Sequence, residues 1–150
     1  MSDDKSRRWS LLAIGKFPDA VKADFGAAFD AVFLDAMPVT GLDAMLGTRE
    51  VLIVSFGSGE LRRDAILALP VTLKAIATYS VGYDFVDVAA ARERGLPVFN
   101  TPDVLTDAVA EVGLLLMLGA ARRATESIAL IRGRHWPGWN ATQLIGVELL

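Results

Sequence analysis

The stretch Thr78-Tyr79-Ser80-Val81-Gly82-Tyr83-Asp84 carries residue types suited to holding an anion. A glycine in such a turn lets backbone N–H groups approach a negative group with no Cβ in the way. Phe56-Gly57-Ser58-Gly59 is a second turn of this kind. Taken alone, the first reads foremost as a plain β-to-α turn, and the second is equally a flexible connection. Composition narrows the other chemistries. With no cysteine, disulfides, thiol catalysis and thiolate metal sites are excluded. With one histidine, His135, no His-based metal cluster forms within a chain. A net charge of -3 favours neither nucleic acid nor an anionic membrane surface. No G-x-G-x-x-G occurs, because Gly57-Ser58-Gly59 lacks the third glycine at the required spacing.

The elements that must position these turns alternate between apolar bursts and helical spacing. Leu11–Ile14, Ala31–Leu34, Val51–Val54, Leu73–Thr78 and Pro97–Phe99 read as five buried strands. Between them, Ala20–Phe29 places Val21, Phe25 and Phe29 on one helical face, and a short helix follows at Leu42–Leu46. Glu60–Leu69 carries Leu61, Ala65 and Leu69 on one face, and Asp87–Arg94 is a helix stopped by Gly95. Strands apolar throughout, each followed by a helix, indicate an α/β fold whose parallel sheet is covered on both faces. The expectation is a flavodoxin-like, doubly wound domain over residues 1–100. The two turns would then lie at the carboxyl ends of strands, where such sheets bind ligands.

From Val104 to Arg132 there is no proline, and only Gly113 and Gly119 interrupt good helix formers. A continuous helix there would be roughly 45 Å long, too long to pack wholly on the preceding domain. It joins two domains or reaches another subunit. His135-Trp136-Pro137-Gly138-Trp139 follows as a loop, and exposed paired tryptophans point to an interface. His135 reads as a solvated loop residue. The start, MSDDKSRRWS, has no apolar signal-peptide core, and the apolar run Val112–Ala121 is too short to span a bilayer. A cytoplasmic protein is expected, without membrane or nucleic-acid partners.

The run LKAIATYSVGYDFVDVAAARERGLPVFNTPDVLTDAVAEVGLLLMLGAARR, Leu73 to Arg123, closely resembles the D-isomer-specific 2-hydroxyacid dehydrogenases, above all their glyoxylate, hydroxypyruvate and hydroxyphenylpyruvate reductase branch. The resemblance implies that backbone amides at Val81 and Gly82 hold the substrate carboxylate. It also implies that the Gly57–Ser58 loop, a looser match, lines the other side of that pocket. Thr106 matches a threonine near the bound cofactor, and it suits a helix N-cap equally well. Asn100-Thr101-Pro102 resembles the first crossing between two domains. Trp136 and Trp139 resemble a W-x-x-W whose second tryptophan reaches the partner subunit's substrate pocket. A dimer-contact aromatic with no substrate role fits the pair equally. Either way a homodimer is implied.

The resemblance further implies NAD(P)H-dependent reduction of a small 2-oxo acid, with NADP slightly favoured over NAD. The family's catalytic arginine, carboxylate and histidine, and its Rossmann G-x-G-x-x-G turn, belong to a second half. None matches a residue of this chain, and Ile145-Gly146-Val147-Glu148-Leu149-Leu150 matches the stretch just before that half. Residues 101–150 would thus be an interdomain and dimerisation segment leading into a nucleotide-binding domain, and the chain alone is expected to be inactive. A stand-alone flavodoxin-like ligand-binding or regulatory module is the alternative. A phosphoreceiver would need an aspartate after the third strand, where Ser55-Phe56-Gly57 stands. Reading the coding sequence past Leu150 should reveal G-x-G-x-x-G within about fifteen residues, the family's spacing. A stop codon there would point instead to a degenerate or regulatory half-enzyme.

Overall fold

A computed structural model describes residues 7–148. Met1–Ser6 of the charged start and Leu149–Leu150 of the final apolar stretch lie outside the described residues. The chain divides into two compact units, Met1–Asp103 and Val104–Leu150.

The first unit is a five-stranded parallel sheet in the order β2-β1-β3-β4-β5. Its strands are β1 (Ser10–Ile14), β2 (Asp30–Leu34), β3 (Val51–Ser55), β4 (Ala75–Tyr79) and β5 (Val98–Phe99). The helices between them are α1 (Asp19–Ala28), α2 (Leu42–Leu46), α3 (Arg63–Ala68) and α4 (Val88–Glu93). This order is the flavodoxin-like one. Each strand falls within two residues of its expected start and end.

Alternation along the strands sends their side chains to two unlike faces. Leu12, Ile14, Leu52, Val54 and Ile76 point to one face, where they pack with Leu42, Leu46, Ile66, Ala90 and Ala91 of α2, α3 and α4. All five of the strand residues are buried to within 1% exposure. Right-handed crossovers in this strand order place α1 on the opposite side. There Phe17 meets Phe25 and Phe33 edge to face, those two rings stack on each other, and Phe17 is tilted 5.3 Å from Tyr79. Coverage on this side is thinner than the sequence implies. No residue of α1 is fully buried, and Val51, Ile53, Ala75 and Ala77 are only half-buried. The order of the strands leaves a single helix of this unit to cover that face.

The segment expected as a helix over Glu60–Leu69 begins later, at Arg63. Leu61 instead forms a parallel bridge with Val86: its N–H donates to Phe85 O and its carbonyl accepts from Asp87 N–H. Leu61 is buried by this pairing rather than on a helix face. Asp87 then caps α4, its carboxylate accepting from Ala90 N–H at 2.9 Å. Arg63 of α3 pairs with Glu93 of α4 at the surface, and the guanidinium holds that carboxyl below its usual range. The contribution of this exposed pair is present at neutral pH. It is lost as pH falls through the lowered carboxyl value.

In the second unit the expected single helix is two: α5 (Thr106–Ala121) and α6 (Ala124–Arg132). Arg123 adopts a left-handed conformation, φ +53°, which breaks the i to i−4 ladder after one of the most apolar stretches of the chain. The break leaves the Ala121 carbonyl without its helical partner, and Val147 N–H donates to it at 2.8 Å. Nothing in the residue types of Arg122-Arg123 announces this corner. The 16 residues of α5 span about 24 Å, not the length of a continuous rod. Among the described residues no helix is long and apolar enough to cross a membrane.

Because Ile76 is fully buried in the central layer, Ile76→Ala should cost about 2–5 kcal/mol of folding stability. Urea denaturation of the two proteins checks this, and a loss under 1 kcal/mol, against that principle's range, would contradict the packing described.

Candidate functional site

Parallel pairing with Ser55 opposite Tyr79 brings the loops after β3 and β4 to the same edge of the sheet. Two further contacts fasten them together, the Leu61–Val86 bridge and the edge-to-face pair Phe56–Phe85, at 6.1 Å between centroids. Val81 and Gly82 on one loop, and Gly57 and Ser58 on the other, are therefore neighbours by construction.

In this strand order the ligand crevice is expected between the ends of β1 and β3. Gly15 stands at that position. Its φ is +125°, and a Cβ on it would lie 2.5 Å from Ser55 Cβ and 3.2 Å from Ser58 Cβ. The Gly15 backbone thus packs directly against the Ser55 and Ser58 side chains. Ser58 is further committed to the fold: its hydroxyl donates to Ser55 O at 2.6 Å, and its carbonyl accepts from Met37 N–H at 2.8 Å. The other glycine-bearing loop lies one strand over, at the end of β4.

There the backbone offers donors. Among the described residues, neither Val81 N–H nor Gly82 N–H donates a hydrogen bond within the protein. Their neighbours on the carbonyl side are all engaged. Ser80 O accepts from Thr101 N–H and from Thr78 Oγ1, each at 3.1 Å, and Val81 O accepts from Asn100 Nδ2 at 2.8 Å. Gly82 has no left-handed φ, and a Cβ placed on it would meet only Asp84 Oδ2, at 3.5 Å, and Ser80 Oγ, at 3.9 Å. Neither contact forbids a side chain. The fold itself does not require glycine here, so the residue keeps space clear on the solvent side of the amides. Gly59 is the opposite case: φ is +134°, and a Cβ would sit 2.5 Å from Met37 Cβ.

The remaining candidates lie in the second unit. Thr106 is the first residue of α5 and not its cap; that place belongs to Leu105, which makes no side-chain cap bond. The N-cap reading of Thr106 is thus corrected, because the chain enters the helix one residue earlier than the threonine. Its hydroxyl makes no hydrogen bond among the described residues. Trp136 and Trp139 are exposed, the latter by 86%. His135 is exposed in the loop after α6, and its backbone N–H donates to Leu130 O. Asn100, read from sequence only as part of the stretch that resembles the first crossing between two domains, proves to be a direct support of the Val81 carbonyl. A short amide side chain at the end of a strand is the one signal that could have suggested it.

The family profile described as "D-isomer specific 2-hydroxyacid dehydrogenase, catalytic domain" matches residues 14–136. The chain belongs to this family. Its curated relatives include a glycerate dehydrogenase from Hyphomicrobium methylovorum, 35% identical over 93% of this chain and 44% of that protein. Glyoxylate/hydroxypyruvate reductase B of Pectobacterium atrosepticum is 34% identical over 93% of this chain and 42% of the relative. Among solved structures, an NADPH-dependent glyoxylate/hydroxypyruvate reductase from Sinorhizobium meliloti, in complex with NADP and malonate, superposes with a TM-score of 0.77. It is 31% identical, over 95% of this chain and 44% of that one. This family member thus spans less than half the length of the relatives it matches.

The two loop glycines should respond differently to alanine. Gly59→Ala meets both a left-handed φ and Met37, so a loss of about 1–3 kcal/mol is expected. Gly82→Ala should stay within about 0.5 kcal/mol of the parent. Chemical denaturation of both variants decides it; equal losses would mean that the Gly82 backbone is constrained in a way the geometry does not show.

Proposed function

We propose that the full-length protein reduces a small 2-oxo acid to the D-2-hydroxy acid with NAD(P)H, and that this chain supplies the grip on the substrate's carboxylate. The observation that carries the proposal is the pair of consecutive backbone amides, Val81 and Gly82, without partners at the carboxyl edge of β4. Two parallel N–H donors match the two oxygens of a carboxylate, and hydrogen bonds to an ionised acceptor are about twice as strong as neutral ones. The Gly57–Ser58 loop, tied to the same edge, forms the adjoining wall. Glyoxylate and hydroxypyruvate are the favoured substrates, on the names of the relatives.

When bound, the nicotinamide cofactor supplies the hydride. Of the residues described, Thr106 fits it best, with an unpartnered hydroxyl in the first turn of α5, where helix N–H groups favour anionic groups. The NADPH dependence of the Sinorhizobium relative favours NADP. This chain's residues bind and orient; in the family, proton transfer belongs to a histidine paired with a carboxylate, and an arginine polarises the carbonyl, all three outside the matched stretch. A homodimer joined in part through Trp136 and Trp139, in the cytoplasm, completes the reading. It is supported by the exposure of both rings and of the apolar side chains Leu114–Leu118 on α5.

Steady-state kinetics of the full-length protein test the carboxylate grip. Gly82→Val should raise KM for glyoxylate or hydroxypyruvate by at least about tenfold, roughly one charge-assisted hydrogen bond. KM for NAD(P)H should stay within a factor of two of the parent. An equal rise in both constants would mean that the amides do not face the oxo acid.

A further inference from the structure

A trans peptide fixes a simple relation: the N–H of one residue points opposite to the carbonyl of the residue before it. Whatever holds the Ser80 and Val81 carbonyls therefore aims the Val81 and Gly82 amides. All peptide bonds described are trans. The Ser80 carbonyl is held twice, by Thr101 N–H and by Thr78 Oγ1. The Val81 carbonyl is held by Asn100 Nδ2. Since a carbonyl can only accept, it is the amide nitrogen of Asn100 that must face it.

Both carbonyls are thus drawn to one short segment, Asn100-Thr101, just beyond β5. The two amides then turn away from that segment together. Because β4 lies between β5 and β3, the side opposite is that of the Phe56–Gly59 loop. Successive N–H groups aimed the same way form an anion-binding concavity, whereas alternating ones would not. Thr78 is 3% exposed, so its hydroxyl bond is shielded from competing water.

We propose that Asn100 and Thr78 are positioning residues for the carboxylate site, orienting the Gly82 and Val81 amides through the carbonyls on the far side of the same peptide units. Neither side chain touches the substrate. This inference rests on the carboxylate reading given under Proposed function. It adds that the grip is set by side chains on β4 and just beyond β5 and is not a property of the turn alone.

The test uses the full-length enzyme with Asn100→Ala, Thr78→Val and Thr78→Ser, and glyoxylate beside its methyl ester. Asn100→Ala removes the side-chain support of the Val81 carbonyl, and Thr78→Val removes one of the two supports of the Ser80 carbonyl at nearly constant volume. Each should raise KM for glyoxylate by roughly tenfold, the loss expected when one charge-assisted hydrogen bond is misaligned, with KM for NAD(P)H unchanged. Thr78→Ser keeps the hydroxyl and should restore the parent value. For the ester, which offers no carboxylate, the variants should behave like the parent. Acid and ester affected alike would signal a general structural defect and overturn the proposal. So would parent-like constants for Asn100→Ala and Thr78→Val in an enzyme that Gly82→Val still impairs. If Gly82→Val has no effect on the oxo acid either, the carboxylate reading itself falls and this inference with it.

Discussion

The register of β4 against β3 is the constraint on which the rest of the sheet edge depends. Parallel strands end at the same level, so their exit loops must share one rim. With Ser55 opposite Tyr79, the two glycine-bearing loops leave the sheet side by side. The Leu61–Val86 bridge extends that pairing beyond the strands, into segments that would otherwise be free to separate. A slip of one residue would turn Ile76 and Thr78 out of their buried layer, so the core that stabilises the unit also fixes the rim.

Strand order adds a second constraint. In a 2-1-3-4-5 sheet the gap between β1 and β3 would ordinarily be the place for a ligand. Here Gly15 packs directly against Ser55 and Ser58. The unpartnered donors are found one strand further along. The bonds that pin the Ser80 and Val81 carbonyls fix the backbone at that place, where the proposed carboxylate grip would lie.

Much of this was legible in the residues. The strands are apolar enough to stand out, and the turn residues after β3 and β4 are conspicuous. What escaped sequence reasoning has a common cause: it depends on partners far apart in the chain. Leu61 has helical spacing with Ala65 and Leu69, yet its backbone pairs with Val86 because the loop after β4 offers an edge. The corner at Arg123 is invisible because a left-handed arginine has no distinguishing neighbour, while the Ala121 carbonyl it exposes finds its donor in Val147. The thin cover over Val51 and Ile53 follows from how many crossovers land on that side, which no local pattern records. Asn100 belongs to the same class, since its role is defined by a carbonyl nineteen positions away.

A donor pair made of main chain has a consequence for how such a protein can change. The Val81 side chain takes no part in presenting the Val81 and Gly82 N–H groups, so it is free to drift under selection for the shape of the rest of the ligand. Under the proposed function, the feature common to every candidate substrate is read by atoms that every amino acid except proline possesses, while the features that differ are left to interchangeable side chains around the rim. Recognition of the shared group and choice among ligands are thereby separable traits, and a lineage can revise the second without rebuilding the first.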